Sequence, residues 1–596
     1  MSQRRALTAA WAAALLFAAL LSCGVGRQAS VEEATAVGTT GRLPLAQPCS
    51  LSSGVVSVVL AANETATLTL DGSNQLTVNG VVCGAATATS AKRINVTVQD
   101  PGSATDETVI LDGTNGFFAV GATNGGIFVT LGAGTNDGVQ VIGTAAADSM
   151  VAGHSTSDEW VIVNQDSYKD VSLIGVEGLT LSGAGGDDVL NASGFHPVWI
   201  RGSYYSPGLP AQLSVTLEGG AGNDSLAGGA ANDVSHGGDN DDTLIGSAGD
   251  DVSHGDLGDD TFDEGAAANG ADQFNGGDGT DVVRYTGRTQ PVTVTVGSMA
   301  NDGESGELDD VRADVEGVSG GAAADVLTCS VTTGCILRGG PGGDTLTGNT
   351  GADTLDGEAG DDVVRAGTGN DVLVGGAGVD VLTYSERSAA VTVVLGTLGT
   401  PTTGNGVSGE NDSVDDFEQL IGGTGADTLT GNALDNRLTG GAGNDTLSGG
   451  AGDDLFDEGS SSNGQDTFAG GAGVDRVDYG ARSAALTVTI DGAANDGAAS
   501  EQDNVGTDVE AISGGSAGDS LTGGSGDDVL DGMDGNDTLV GLGGNDVLSG
   551  GDGFDTLTGG DGDDVLEDVS QGGSCDCGDG FDIGICDAPA ATCEVR

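Results

Sequence analysis

After residue 182 most of the chain is built on a nine-residue unit, Gly-Gly-x-Gly-x-Asp-x-apolar-x, which puts a carboxylate at every ninth position. Twenty-four copies occur. Unbroken runs cover Gly219–Asp263, Gly339–Thr383, Gly422–Asp457 and Gly514–Glu567, and single copies start at Gly183, Gly276, Gly320 and Gly470. In GGAGNDSLA (Gly219–Ala227) the glycines permit a tight positive-φ turn, where a Cβ would clash. Such a turn aims backbone carbonyls inward, and Asp224 adds a charged oxygen. Calcium takes about six to eight hard oxygens in loose geometry, which carbonyls plus aspartate supply.

The elements that position these oxygens follow from the rest of the unit. Its last three residues alternate as a short strand, with Leu226 inside and its neighbours outside. Two units make one flattened coil, so residues eighteen apart stack at about the 4.8 Å strand spacing. Asp224, Asp242 and Asp260 then form a column on one edge, and Asp233 and Asp251 another. A cation between coils relieves the repulsion within each column. The same reasoning makes candidate ligands of Asp188, Asp281, Asp325, Asp344, Asp353, Asp362, Asp371, Asp380, Asp427, Asp445, Asp454, Asp475, Asp519, Asp528, Asp537, Asp546, Asp555 and Asp564. One copy, GNALDNRLT, carries Asn436 at this position, and a weaker site is expected there. Ser235 and Ser253 occupy inward strand positions and should thin the core.

This unit resembles the repeat of the repeats-in-toxin (RTX) family of bacterial proteins, over roughly two-thirds of the chain. The resemblance implies an all-β fold, a parallel β-roll or β-helix solenoid, with the position-six aspartates as ligands of multiple calcium ions. Composition agrees. Asp and Glu number 90 against 18 Lys and Arg, for a net charge of −72. So acidic a chain repels itself and offers nothing to nucleic acid phosphates. With 110 glycines and 4% aromatics, apolar burial alone falls short of the ordering entropy, so metal must supply folding free energy.

The chain divides accordingly. Residues 1–22 read as a signal peptide, because Arg4 and Arg5 precede the short apolar stretch Ala6–Leu21. The following Leu-Ser-Cys-Gly resembles a lipobox, which would lipidate Cys23 and make residues 23–42 a tether and the lipid the only membrane contact; ordinary cleavage beside a cysteine is the alternative. Many RTX proteins leave instead through an uncleaved C-terminal signal. Residues 43–182 hold β-rich segments such as SVVLAANETATLTL between Gly/Asn/Asp turns and read as an irregular β-helix-like lead-in. Roll is expected at 183–263 (with an insert at 192–216), 339–383, 422–457 and 514–567. Inserted strand modules occupy 264–338, 384–421 and 458–513, and a Cys-rich cap 568–596. The 192–216 insert holds Trp199, Tyr204 and Tyr205, which could fill a core or stack on sugars.

The modules share a longer repeat, beginning at Gly276, Gly375 and Gly470. Tyr285 and Arg288, Tyr384 and Arg387, and Tyr479 and Arg482 recur at one spacing, as do Glu316, Glu418 and Glu510. The repeated arginine is expected to pair with the repeated glutamate and pin an inserted coil. The acidic loops between them, NDGESGELDD in the first copy, are an alternative ligand set, most simply for further calcium.

Setting Cys23 aside leaves eight cysteines, an even number that suits an oxidising compartment. Proximity suggests Cys49–Cys83 and Cys329–Cys335, with Cys575, Cys577, Cys586 and Cys593 in the tail as disulfides or, against zinc spacing rules, a metal site. Among four histidines no HExxH helix exists, and the two GxSxG matches (Gly317–Gly321 and Gly514–Gly518) lie on no strand–helix elbow. His236 and His254 are eighteen apart and should stack, as duplicated repeats or as a weak transition-metal pair. The expected function is that of a non-enzymatic, calcium-folded exported protein at the cell surface or outside the cell, structural or adhesive, with a polysaccharide or matrix partner. An N-terminal polysaccharide-acting enzyme and a calcium buffer are the alternatives.

Overall fold

Each nine-residue unit pairs with the unit eighteen residues on. Ser225–Ala227 runs parallel to Thr243–Ile245, which runs parallel to Thr261–Asp263. The opposite face carries Ser214–Ala221, Val234–Asp239 and Val252–Leu257 in the same parallel order. The computed structural model describes residues 214–586 apart from 298–299, 397–398 and 569–571, and before these the strands from Cys49–Ser52 to Val189–Gly194. Every element among the described residues is a strand. The protein is a parallel β-solenoid, as the nine-residue period implies.

The core follows from strand alternation. Leu226, Leu244 and Phe262 stack inward on one face with at most 1% exposure. Ser235 and Ser253 do point inward, and the Ser235 hydroxyl donates to that of Ser253 at 2.9 Å, so the thin part of the core is a satisfied polar contact. The turns need glycine where coils approach most closely: Gly238 has φ +118°, and a Cβ there would lie 2.0 Å from the Gly220 carbonyl oxygen.

Strands ahead of the first repeat join the same face. Thr65–Leu70, Thr108–Asp112, Gly138–Ile142 and Gly178–Ser182 pair in parallel succession and lead into Ser214–Ala221. At the other end, Ser574–Asp579 and Ile583–Cys586 pair in parallel with Thr556–Asp561 and Val565–Asp568. The Cys-rich tail thus contributes a further coil, closed by the Cys575–Cys586 disulfide. Cys329 and Cys335 are bridged as their proximity suggested. The side chains of Cys49 and Cys83, and Cys23, Asp188 and residues 195–213, lie outside the described residues.

The three inserted modules share one construction. One face runs through without a break: Thr261–Asp263, Val282–Arg284, Gly317–Ser319 and Ile336–Pro341 pair in series. The other face stops at Asp310–Val311 and restarts with Val292–Val296, which pairs forward with Val326–Cys329. Asp302 clasps the break, its Oδ1 accepting from Thr295 N–H at 2.7 Å and its Oδ2 from Val311 N–H at 3.0 Å. Asp496 does the same for Thr489 and Val505. In the middle module Asn405 holds Val394 N–H at 2.8 Å.

Leu355 lies fully buried in the continuous stack. Leu355→Ala should cost about 2–5 kcal/mol through lost burial and the cavity left behind. Denaturant unfolding in saturating calcium measures this, and a loss well below that range would mean the stack collapses onto the gap.

Candidate metal centres

The position-six carboxylates are held by the backbone of the preceding coil. Asp242 Oδ1 accepts the Asp224 N–H at 2.7 Å, Asp260 Oδ1 the Asp242 N–H at 2.7 Å, and Asp251 Oδ1 the Asp233 N–H at 2.7 Å. The same bond links Asp344 to Asp362, Asp519 to Asp537 and Asp546 to Asp564. Every expected aspartate except Asp188 is described, and none exceeds 4% exposure. The eighteen-residue columns are therefore real contacts.

What the second oxygen meets separates two kinds of position. In entry coils it accepts an N–H of its own turn, as Asp325 Oδ2 does from Gly321 at 2.6 Å and Asp427 Oδ2 from Gly423 at 2.6 Å. Asp233, Asp353, Asp519 and Asp528 are closed the same way. In interior coils Oδ2 is buried without a hydrogen-bond partner, at Asp242, Asp251, Asp260, Asp344, Asp362, Asp371, Asp537, Asp546 and Asp555 among others. The first-position glycine leaves the room: a Cβ on Gly237 would lie 2.3 Å from Asp242 Oδ2 and 2.8 Å from the Gly255 carbonyl oxygen. Buried, orphaned oxygens beside carbonyls, with no nitrogen or sulfur donor, suit a hard cation of calcium type. Such a cation supplies the charge compensation that the protein does not.

Without a cation these carboxylates resist ionisation. Burial, reinforced by neighbouring carboxylates, raises Asp251 to about 8 and Asp242, Asp344, Asp371 and Asp380 to about 7, against the backbone hydrogen bonds that lower them. At Asn436 the amide changes the chemistry. Its Oδ1 takes the Asn432 N–H at 2.7 Å, while its Nδ2 donates to the Glu418 carbonyl at 3.3 Å. A donor there consumes an oxygen that a cation could use.

The inserts carry more column members than the nonapeptide pattern reveals. Asp272 Oδ1 accepts from Asp251 N–H, and Asp309 Oδ1 from Asp272 N–H. Asp466 and Asp503 continue the column after Asp445, and Asp412 follows Asp371. Asp582 takes the Asp564 N–H in the tail coil. Degenerate units such as NGADQF and NGQDTF, which keep Gly-x-Asp-x-Phe, were the available signal.

The repeated glutamates do not pair with the repeated arginines. Glu316, Glu418 and Glu510 end their columns, each accepting the N–H of the preceding aspartate at 2.9–3.0 Å. The arginines turn the other way, into the acidic loops: Arg288 bonds Glu307 at 2.9 Å, Arg387 Glu410 at 3.2 Å and Arg482 Glu501 at 2.7 Å. The arginine is too far along the coil to meet a glutamate that the parallel register commits to the column. Tyr285, Tyr384 and Tyr479 are buried and donate to Asp309, Asp412 and Asp503 at 3.0–3.2 Å. His236 and His254 stack with ring centroids 4.5 Å apart and Asp256 lies 3.4 Å from His236 Nδ1, but no three ligand atoms gather there among the described residues.

A family model of the RTX calcium-binding nonapeptide repeat matches in ten segments between residues 216 and 567, the first at 216–244 and the last at 540–567. The solenoid and its aspartate columns thus define a calcium-binding repeat protein. Across residues 216–567 the chain is an array of RTX calcium-binding nonapeptide repeats. No curated protein matches it significantly.

Two outcomes are expected. The folded-state values of Asp251 and its neighbours lie above the unfolded carboxylate value of 3.8, so the metal-free fold binds protons more tightly than the unfolded chain. Its stability is fully present below about pH 4 and is lost as pH rises through about 6 to 8. Metal-stripped protein should therefore gain β-sheet circular dichroism on acidification over that interval; a signal that weakens instead would contradict the buried columns. Asn436→Asp should restore an acceptor beside the Glu418 carbonyl and tighten calcium binding in that block, read by calorimetric titration.

Proposed function

We propose that this chain is an exported, calcium-folded structural or adhesive protein of the cell surface or extracellular space. Calcium is held between successive coils by the interior position-six aspartates. The observation that carries this reading is the set of buried Oδ2 atoms without a hydrogen-bond partner, repeated coil after coil. A net charge of −72 makes the chain self-repelling until cations enter the columns. External calcium concentrations suit such sites, and the bridged Cys329–Cys335 and Cys575–Cys586 pairs are consistent with an oxidising location. Lipidation at Cys23 would anchor the solenoid at one end and leave its repeat faces for a polysaccharide or matrix partner.

Calcium at millimolar level should compact the full chain cooperatively at neutral pH, and magnesium should not, because its shorter octahedral geometry fits these turns poorly. A hydrodynamic radius and β signal identical in chelator and in calcium would defeat the reading. Asp537→Ala should weaken the sites on both sides of its coil, since Asp537 bonds Asp519 N–H and its own N–H bonds Asp555. Anchoring is tested separately: Cys23→Ala should move the protein out of the detergent phase.

A further inference from the structure

Two coils of the solenoid carry the same short insertion and are built alike. Residues 263–274 read DEGAAANGADQF and residues 457–468 read DEGSSSNGQDTF. Each adds three residues to its coil, so that Asp251 bonds a partner 21 residues on, as does Asp445. The added length turns a glutamate into the wall of the column. Glu264 is 2% exposed, and its carboxylate comes together with those of Asp272 and Asp309, one oxygen from each lying within 4.8 Å of the others.

The protein neutralises only part of this cluster. Arg288, fully buried, reaches Glu307 at 2.9 Å, Asn269 at 2.8 Å and Glu264 Oε2 at 3.3 Å. Tyr285 donates to Asp309 Oδ2 at 3.0 Å. Glu264 Oε1 and Asp272 Oδ2 have no hydrogen-bond partner. One guanidinium thus stands against four buried carboxylates, Glu264, Asp272, Glu307 and Asp309. Burying like charges this close without compensation is strongly unfavourable. The second long coil repeats the arginine contacts and the orphaned oxygens, with its three carboxylates less closely gathered: Arg482 reaches Glu458 at 2.9 Å, Glu501 at 2.7 Å and Asn463 at 2.7 Å, and Glu458 Oε1 and Asp466 Oδ2 are orphaned.

The middle module provides a natural contrast. There the coil has the ordinary length, and the residue following the strand Val363–Arg365, in the place of Glu264 and Glu458, is Ala366, fully buried. Arg387 turns to the Gly367 carbonyl instead. The glutamate with its orphaned Oε1 and the extra coil length occur together in two modules and are missing together from the third, where the column aspartate Asp371 keeps an orphaned Oδ2 as Asp272 and Asp466 do.

We propose that Glu264, Asp272 and Asp309 form a hard divalent-cation site whose all-oxygen donors suit calcium, and that Glu458, Asp466 and Asp503 form a second. They differ from the nonapeptide sites in taking a glutamate from the coil wall and in sharing their charge with a buried arginine. Calcium here ties the last full coil before each break to the acidic loop that follows, through Asp309 and Asp503.

Crystals of the full chain grown in calcium and exchanged into terbium test this directly by anomalous scattering. A peak is expected among Glu264, Asp272 and Asp309 and another among Glu458, Asp466 and Asp503, with none beside Ala366. In solution, Glu264→Ala combined with Glu458→Ala should lower bound calcium by two ions per chain in equilibrium dialysis, with the calcium-loaded circular dichroism unchanged, because Ala366 already occupies this place in the middle module. Should that variant not fold, Glu264→Gln with Glu458→Gln keeps an acceptor for each arginine and gives the same readout. Peaks along the aspartate columns but none at the two glutamates, or unchanged stoichiometry in a folded variant, would overturn the proposal while leaving the repeat sites standing. Peaks nowhere would overturn both.

Discussion

The bond on which the solenoid depends runs from a backbone N–H to the buried carboxylate of the next coil. Asp224 N–H to Asp242, Asp242 N–H to Asp260 and their successors satisfy a donor that lies in the turn, beyond the reach of the strand ladder. Using Oδ1 in this way fixes the side chain and leaves Oδ2 facing a glycine and a carbonyl oxygen. The arrangement cannot be completed by protein alone. Each carboxylate gains a backbone partner and loses its water, so its ionised form awaits a cation. Coil spacing, glycine placement and metal demand are one constraint seen three ways.

That constraint was legible in the sequence wherever the period held. Leu226, Leu244 and Phe262 were placed inward by alternation, and the eighteen-residue register followed from two turns per coil. It failed where the period broke. Glu316 looked like a partner for Arg288 because opposite charges recurred together, yet the register of Val282–Arg284 against Gly317–Ser319 commits Glu316 to Asp281. Asp272 and Asp309 were missed because their units lack the leading glycines, and because column membership across 37 residues depends on how an insert folds back. Local patterns report local geometry; a partner brought round by an inserted coil leaves only a degenerate trace such as Gly-x-Asp-x-Phe.

The inserts also change what the roll is mechanically. One face passes each module without a break; the other ends and restarts at the first and third modules, clasped by Asp302 and Asp496, and at the second is bridged by the antiparallel strand Thr402–Val407, with Asn405 holding Val394. The face that runs through differs: it is the Thr261–Asp263 face at the first module and the Val363–Arg365 face at the second. No plane between coils therefore severs both sheets at a module. Blocks that look separate along the sequence share at least one continuous parallel ladder.

The column bonds also have a direction. Acceptor always belongs to the later coil and donor to the earlier one, from Val215 and Asp233 through to Asp564 and Asp582. The stack is consequently a polar filament whose two ends are chemically unlike. Removing coils from the C-terminal side strips acceptors and leaves bare amide donors, whereas removal from the N-terminal side frees carboxylate oxygens that water or a cation can satisfy. At the C-terminal end Asp582 of the tail coil accepts the Asp564 N–H, and the Cys575–Cys586 disulfide ties the same coil together.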